Sequence, residues 1–198
     1  MTAKQEEFWK GTFGDEYNAR NVGRTASNIA LFARVMGRTT AVESILELGC
    51  GTGQNLEALH YLLPQVTLLG VEINEDAARQ CKVGEIHQRA ILNPQLQLTC
   101  DMVFTKGVLI HQPPEDLPAV YERIYKSARR YVLVAEYYNP TPREVEYRGN
   151  AGVLWQRDFA GELLDLYDDL RLVDYGFSYH RGAFPQDDLT WFLMEKTS

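Results

Sequence analysis

Apolar and polar positions change period along this chain, and the changes mark its elements. The first 36 residues carry apolar positions at helical spacing, in "KQEEFWK" and then "RTASNIALFARVM", which predicts one or two helices. Short apolar runs then alternate with amphipathic stretches. "SILEL" predicts a buried strand and "QNLEALHYLL" a helix stopped at Pro64. "VTLLGVEI" predicts a second strand, "EDAARQCK" a short helix, and "EIHQRAIL" a third strand. "CDMVFTKGVLI" begins as a strand and turns at Gly107. "PEDLPAVYERIYKSA" reads as a helix with its prolines early, where a missing amide hydrogen costs least. "RYVLVAEYY" is a further buried strand ended by "NPTP", and "DFAGELLDLY" a helix with Asp158 at its cap. "LRLVDYGFSYH" and "LTWFLMEK" close the chain as two strands.

Alternation of this kind implies an α/β fold, a mostly parallel central sheet with helices on both faces. The last two strands lack a helical crossover, so at least one there runs antiparallel. No repeat or low-complexity linker divides the 198 residues, which suit one domain with a full core. Within it, residues 1–36 form a helical cap segment and residues 37–198 the α/β core.

Composition narrows the partners. A net charge of −7 argues against a nucleic-acid partner, which asks for a basic face. The one basic run, "KSARRY" at Lys126–Tyr131, reads as the solvated end of a helix, where cations suit the dipole. No apolar run is long enough to cross a membrane, and the N-terminus has no signal-peptide core. Cys50, Cys81 and Cys100 lack disulfide or metal spacing and read as reduced thiols of a cytoplasmic protein. His60, His87, His111 and His180 are scattered, so no metal site is predicted.

Chemistry enters at "ELGCGTG", where the first strand ends. Gly49, Gly51 and Gly53 allow backbone to approach a ligand closely, at the strand end where such sheets bind ligands. Their G-x-G-x-G spacing, with Gln54 next, departs from the nicotinamide-dinucleotide fingerprint and disfavours an oxidoreductase. Glu72 ends the second strand about 20 residues on, where an acceptor for ribose hydroxyls belongs. Together these features suit an adenosine ligand.

"ILELGCGTG" followed by "GVEIN" resembles the motifs of class I S-adenosylmethionine-dependent methyltransferases. Longer blocks, "FWKGTFGDEYNARN", "DMVFTKGVLIH", "VAEYYNPTPREVEYRG", "RDFAGELLD" and "LVDYGFSYHR…FPQDDLTWFLMEK", resemble the pseudaminic acid biosynthesis-associated methylases over nearly the whole chain. The resemblance implies a Rossmann-like class I fold, S-adenosylmethionine as cofactor and no metal. It implies donor contacts from Glu47, Gly49, Cys50, Gly51 and Gly53, from Glu72 and Ile73, and from Lys106 and Gly107 through backbone. Ala90 and Ile91 stand against the adenine. The N-terminal segment folds over the donor as a lid carrying Trp9, Tyr17, Arg20 and Asn21. Arg20 pairs with the donor carboxylate, and Trp9 or Tyr17 faces the sulfonium.

His111 follows the turn after the fourth strand and is the candidate base, since histidine titrates near neutrality. Tyr138 is the second catalytic candidate. "EYYNPTP" is similar to the N-P-P-Y box of base methylases, but it follows the fifth strand, and Thr141 and Pro142 replace the second proline and the aromatic. Methylation of nucleic-acid bases is therefore rejected. Tyr137 and Asn139 form a substrate wall with Tyr147 and Arg148. His180 and Arg181 read an anionic or polyhydroxylated substrate, and Asp187 or Asp188 orients an amine. Arg148 and Arg181 both suit a carboxylate. The expected reaction is methyl transfer to nitrogen or oxygen of a small polar metabolite: an amino sugar, a nonulosonic acid or another carboxylate-bearing molecule. Two other readings stay open, a peptide or protein terminus as acceptor and a donor-binding partner subunit without catalysis. The oligomeric state is left unset.

Overall fold

In a computed structural model the structure describes residues 3–14, 16 and 23–197. Helices α1 (Ala3–Lys10) and α2 (Thr25–Met36) precede β1 (Ser44–Leu48), α3 (Gln54–Leu62), β2 (Thr67–Glu72), α4 (Glu75–Gln80) and β3 (Glu85–Gln88). Next come β4 (Cys100–Lys106), a 3-10 turn (Leu109–His111), α5 (Leu117–Ser127) and β5 (Ala128–Glu136). A two-residue hairpin, β6 (Arg143–Glu144) and β7 (Trp155–Gln156), leads to α6 (Phe159–Leu166), β8 (Leu170–Ser178) and β9 (Leu189–Lys196).

Seven strands form one sheet in the order β3-β2-β1-β4-β5-β9-β8. The first five are parallel to their neighbours, β9 lies antiparallel to β5, and β8 antiparallel to β9. Strand order reverses between β1 and β4, so the carboxyl ends of these two strands open the crevice in which such sheets bind ligands. Successive side chains point to opposite faces of a strand. In β5 this sends Val132 and Val134 toward α5 and α6, and Leu133 and Ala135 toward α2 and α3. Both faces of the central strands are thus apolar, as parallel strands covered by helices require.

The cap expected at Asp158 forms, and Asn74 supplies a second that was not expected. Asp158 Oδ1 accepts the Gly161 N–H at 2.8 Å to start α6, and Asn74 Oδ1 accepts the Ala77 N–H at 2.8 Å to start α4. Three features depart from expectation. The third strand stops at Gln88, because the chain turns at Ala90 and buries Ile91 in the core. Arg129 and Arg130 belong to β5 and not to a helix end, since each has a carboxylate opposite it, Asp101 at 2.9 Å and Glu195 at 2.6 Å. The small hairpin pairs residues too far apart in the chain for local periodicity to signal. Among the described residues, no helix is long and apolar enough to cross a membrane.

Candidate active site

The glycine loop sets the geometry. Gly49, Gly51 and Gly53 have φ of 78°, 53° and 80°, in the region where a side chain is strained. A Cβ on Gly49 would stand 2.6 Å from Val108, so the loop lies directly against the turn after β4. The Gly51 N–H donates to Glu72 Oε2 at 2.7 Å, while Glu72 Oε1 accepts the Asn74 N–H at 2.8 Å. Burial pushes the Glu72 carboxyl upward against these bonds. With about four acceptor sites on a carboxylate, Glu72 can still accept from a ligand hydroxyl beside its backbone bonds.

Two cavities open above the loop. Trp9, Glu72, Ile73, Asn74 and Gln112 line the first; Arg24, Asn28, Asn55, Tyr137, Tyr147 and Asp187 line the second. Gly49, Gly51, Lys106, Gly107 and His111 belong to both and form the wall between them. Helix α1 is seated on this wall: buried Gln5 donates to the His111 carbonyl at 2.7 Å, and Asn74 Nδ2 donates to the Trp9 carbonyl at 3.2 Å.

The turn that carries the wall hangs on one buried carboxylate. Glu136 Oε1 accepts from the Val108 and Leu109 N–H groups at 3.1 Å each, and Oε2 reaches Val108 at 3.0 Å and Ile110 at 3.4 Å. Burial raises Glu136 to about 7 despite these bonds. His111 Nδ1 lies 2.7 Å from the Val153 carbonyl, which can only accept. Nδ1 is therefore the donor, and the neutral ring keeps its lone pair on Nε2. Burial holds His111 down at about 4, with its ring 4.6 Å from Trp9 and 5.5 Å from Tyr147.

Glu47 lies fully buried beneath the loop, where Oε1 accepts from Asn55 Nδ2 at 2.6 Å and burial pushes the carboxyl up to about 8. Lys106 faces it from β4, held below the ordinary lysine range by burial. In the second cavity Arg24 pairs with Asp187 at 2.9 Å, and Gln186 donates to Asn28 at 3.0 Å.

The structure gathers Trp9, Gly49, Cys50, Gly51, Glu72, Ile73, Lys106, Gly107, His111, Tyr137, Tyr147 and Asp187 around these cavities. Others it leaves outside. Gly53 caps α3 and Glu47 supports the loop from below. Ile91 is core, while Ala90 shares a separate recess with Ile73. Tyr138 is 41% exposed with its ring 5.8 Å from Phe192, because its neighbour Tyr137 takes the inward position and the two alternate. Asn139 turns back to accept from the Thr141 N–H, and Arg148, at φ 51°, lays its guanidinium 5.7 Å over Tyr147 on the exposed side. His180 is engaged by Asp188 at 2.8 Å and Arg181 is exposed, both away from the cavities. Tyr17, Arg20 and Asn21 lie outside the described residues.

Sequence reasoning missed Arg24, Asn28, Asn55, Asn74, Gln112 and Gln186. Asn55 carried a local signal, a polar residue in the first helical turn after the glycine loop. Arg24 and Gln186 carried none, because they meet only across the fold. Buried oxygens of Asn55 and Gln112 have no partner among the described residues, one in each cavity. Acceptors of this kind, with the Glu72 lone pairs and the open glycine backbone, fit a ligand that brings amine and hydroxyl donors, as S-adenosylmethionine does.

Residues 45–130 match the family model described as methyltransferase domain. Among curated protein sequences none matches the chain. Solved structures are similar over nearly all of it. Magnesium protoporphyrin IX methyltransferase from Synechocystis PCC 6803 has a TM-score of 0.69 at 14% identity, covering 97% of this chain and 95% of that one. The 1,6-didemethyltoxoflavin-N1-methyltransferase of Burkholderia thailandensis has a TM-score of 0.71 at 15% identity, covering 98% and 88%. The plantazolicin methyltransferase reaches 0.67 at 14% identity, covering 98% and 94%. These likenesses show the Rossmann-like methyltransferase fold. The match marks residues 45–130 as a methyltransferase domain, and magnesium protoporphyrin IX methyltransferase, one of the structures of this fold, was solved with S-adenosylmethionine bound.

Proposed function

We propose that the chain transfers a methyl group from S-adenosylmethionine to nitrogen or oxygen of a small polar metabolite, as one domain whose N-terminal segment covers the site. The acceptor class rests on one observation, the lining of the second cavity. Arg24 with Asp187, Asn28 with Gln186, and the Tyr137 hydroxyl offer a cation, a carboxylate, amides and a phenol around one space. Groups of these types read amines, hydroxyls and carboxylates by directed hydrogen bonds. An amino sugar, a nonulosonic acid or another carboxylate-bearing metabolite meets them, in line with the resemblance to methylases associated with nonulosonic-sugar biosynthesis. Three free cysteines agree with a cytoplasmic setting.

The donor supplies a methyl group already activated on a sulfonium. The chain's residues have to align and enclose, and positioning of this kind is worth up to about 7–11 kcal/mol. Glu72 and the glycine loop hold the nucleoside end in the first cavity. Arg24 and Asp187 orient the acceptor in the second. His111, neutral, accepts a hydrogen bond through Nε2 at the wall between them. A product-release assay with sugars, amines, carboxylates and short peptides tests the reading. Turnover on carboxylate-bearing or amino-sugar acceptors is expected; turnover on peptides alone would contradict it.

A further inference from the structure

Lys106 ends β4 opposite Ala135 and lines both cavities. Four titratable groups act on its amine from the surrounding elements: Glu47 of β1, Arg24 at the start of α2, Asp187 before β9, and Glu136 of β5, the two glutamates raised toward their neutral forms by burial. His111 shares the wall but is neutral, and Glu72 lies on the first-cavity side only. Among the described residues Lys106 has no ion-pair partner: Asp187 pairs with Arg24, and Glu47 bonds Asn55 through Oε1 while its buried Oε2 is left without a hydrogen-bond partner. An amine placed this way is a poorly compensated cation at the junction of two ligand spaces.

We infer that Lys106 is the proton acceptor of the reaction, releasing its own proton when the sulfonium donor binds and taking one from the acceptor as the methyl group moves. The inference rests on the proposed donor. A donor with its nucleoside in the first cavity and its methyl group turned toward an acceptor in the second carries its sulfonium at the wall they share. A second cation beside Lys106 favours the neutral amine. Burial, first, and then Arg24 already draw the amine downward against Glu47, Asp187 and Glu136. In the transfer the acceptor's lone pair forms the bond to the methyl carbon, the carbon–sulfur pair stays on sulfur, and the acceptor's proton passes to Nζ. With the sulfonium spent, Lys106 again favours the charged form. His111, held near 4, is too weak a base to keep that proton.

The test needs no acceptor. Calorimetric titration with S-adenosylmethionine and with S-adenosylhomocysteine, each in two buffers of different ionisation enthalpy, counts protons released on binding. Between about pH 7 and 10 the sulfonium ligand should release more protons, up to about one. Its affinity relative to the thioether should climb with pH, by at most about tenfold per unit. Lys106→Met should erase both effects, with Lys106→Gln as a second variant, while Glu47→Gln should keep them. Equal release by the two ligands, or a difference that survives in Lys106→Met, would overturn the inference. If neither ligand binds the folded wild type, the donor reading fails and the inference with it, a result distinct from equal release.

Discussion

Gly51 concentrates the demands of the site on one residue. Its φ of 53° strains any side chain, its N–H is committed to Glu72, and it lines both cavities. Gly51→Val adds a branched side chain at positive φ, a strain of about 1–3 kcal/mol, and fills the ligand space. Titration with S-adenosylhomocysteine should show binding abolished, and unchanged affinity would remove the loop from the donor site. His111→Ala deletes the Nε2 acceptor and one ring of the wall while sparing the loop and Glu72. Turnover should fall at least about tenfold with donor affinity nearly kept. Normal turnover would reduce His111 to packing. At this scale the sequence was readable where a residue answers a local need, as in the positive φ of the three loop glycines. It was unreadable where side-chain direction decides. Nothing local says that Tyr137 faces in and Tyr138 out, or that Arg181 stays at the surface while Arg24 reaches the cavity.

Elements place those residues, and the turn from Gly107 to His111 is placed by Glu136. Four hydrogen bonds to three successive N–H groups make this carboxylate the anchor of the wall. Glu136→Gln turns an amide NH2 toward N–H donors and should cost about 1–3 kcal/mol in denaturant unfolding, with weaker donor binding because Val108 supports Gly49. Unaltered stability would show that the turn holds by its own packing. Helix caps and apolar runs were legible because they are satisfied within a few residues, as Asp158 is by Gly161. The start of β5 was not legible, because Arg129 and Arg130 enter the strand only through Asp101 and Glu195, which come from other parts of the chain.

Across the whole molecule, alternation of periods was enough to anticipate a mostly parallel sheet with an antiparallel end. Strand order was not in that pattern, and the order puts the β1 and β4 ends side by side. The site's buried charge carries a stability signature. Glu47 and Glu136 have folded values of about 8 and about 7 against a reference of 4.5, so their protonated forms favour the fold and stability is lost as pH rises through those values. His111, lowered from 6.5 to about 4, works the other way, and its effect is complete by about pH 6.5. The melting temperature of the ligand-free protein should therefore fall from about pH 6.5 to about 8, and less steeply in Glu47→Gln. Equal slopes would mean that Glu47 is ionised in the fold throughout. Titration of the folded wild-type chain with S-adenosylhomocysteine at neutral pH decides whether the chain holds the donor. Saturable one-site binding at micromolar affinity, absent in Gly51→Val, is the predicted result. A flat titration of the folded wild type would contradict the methyltransferase reading.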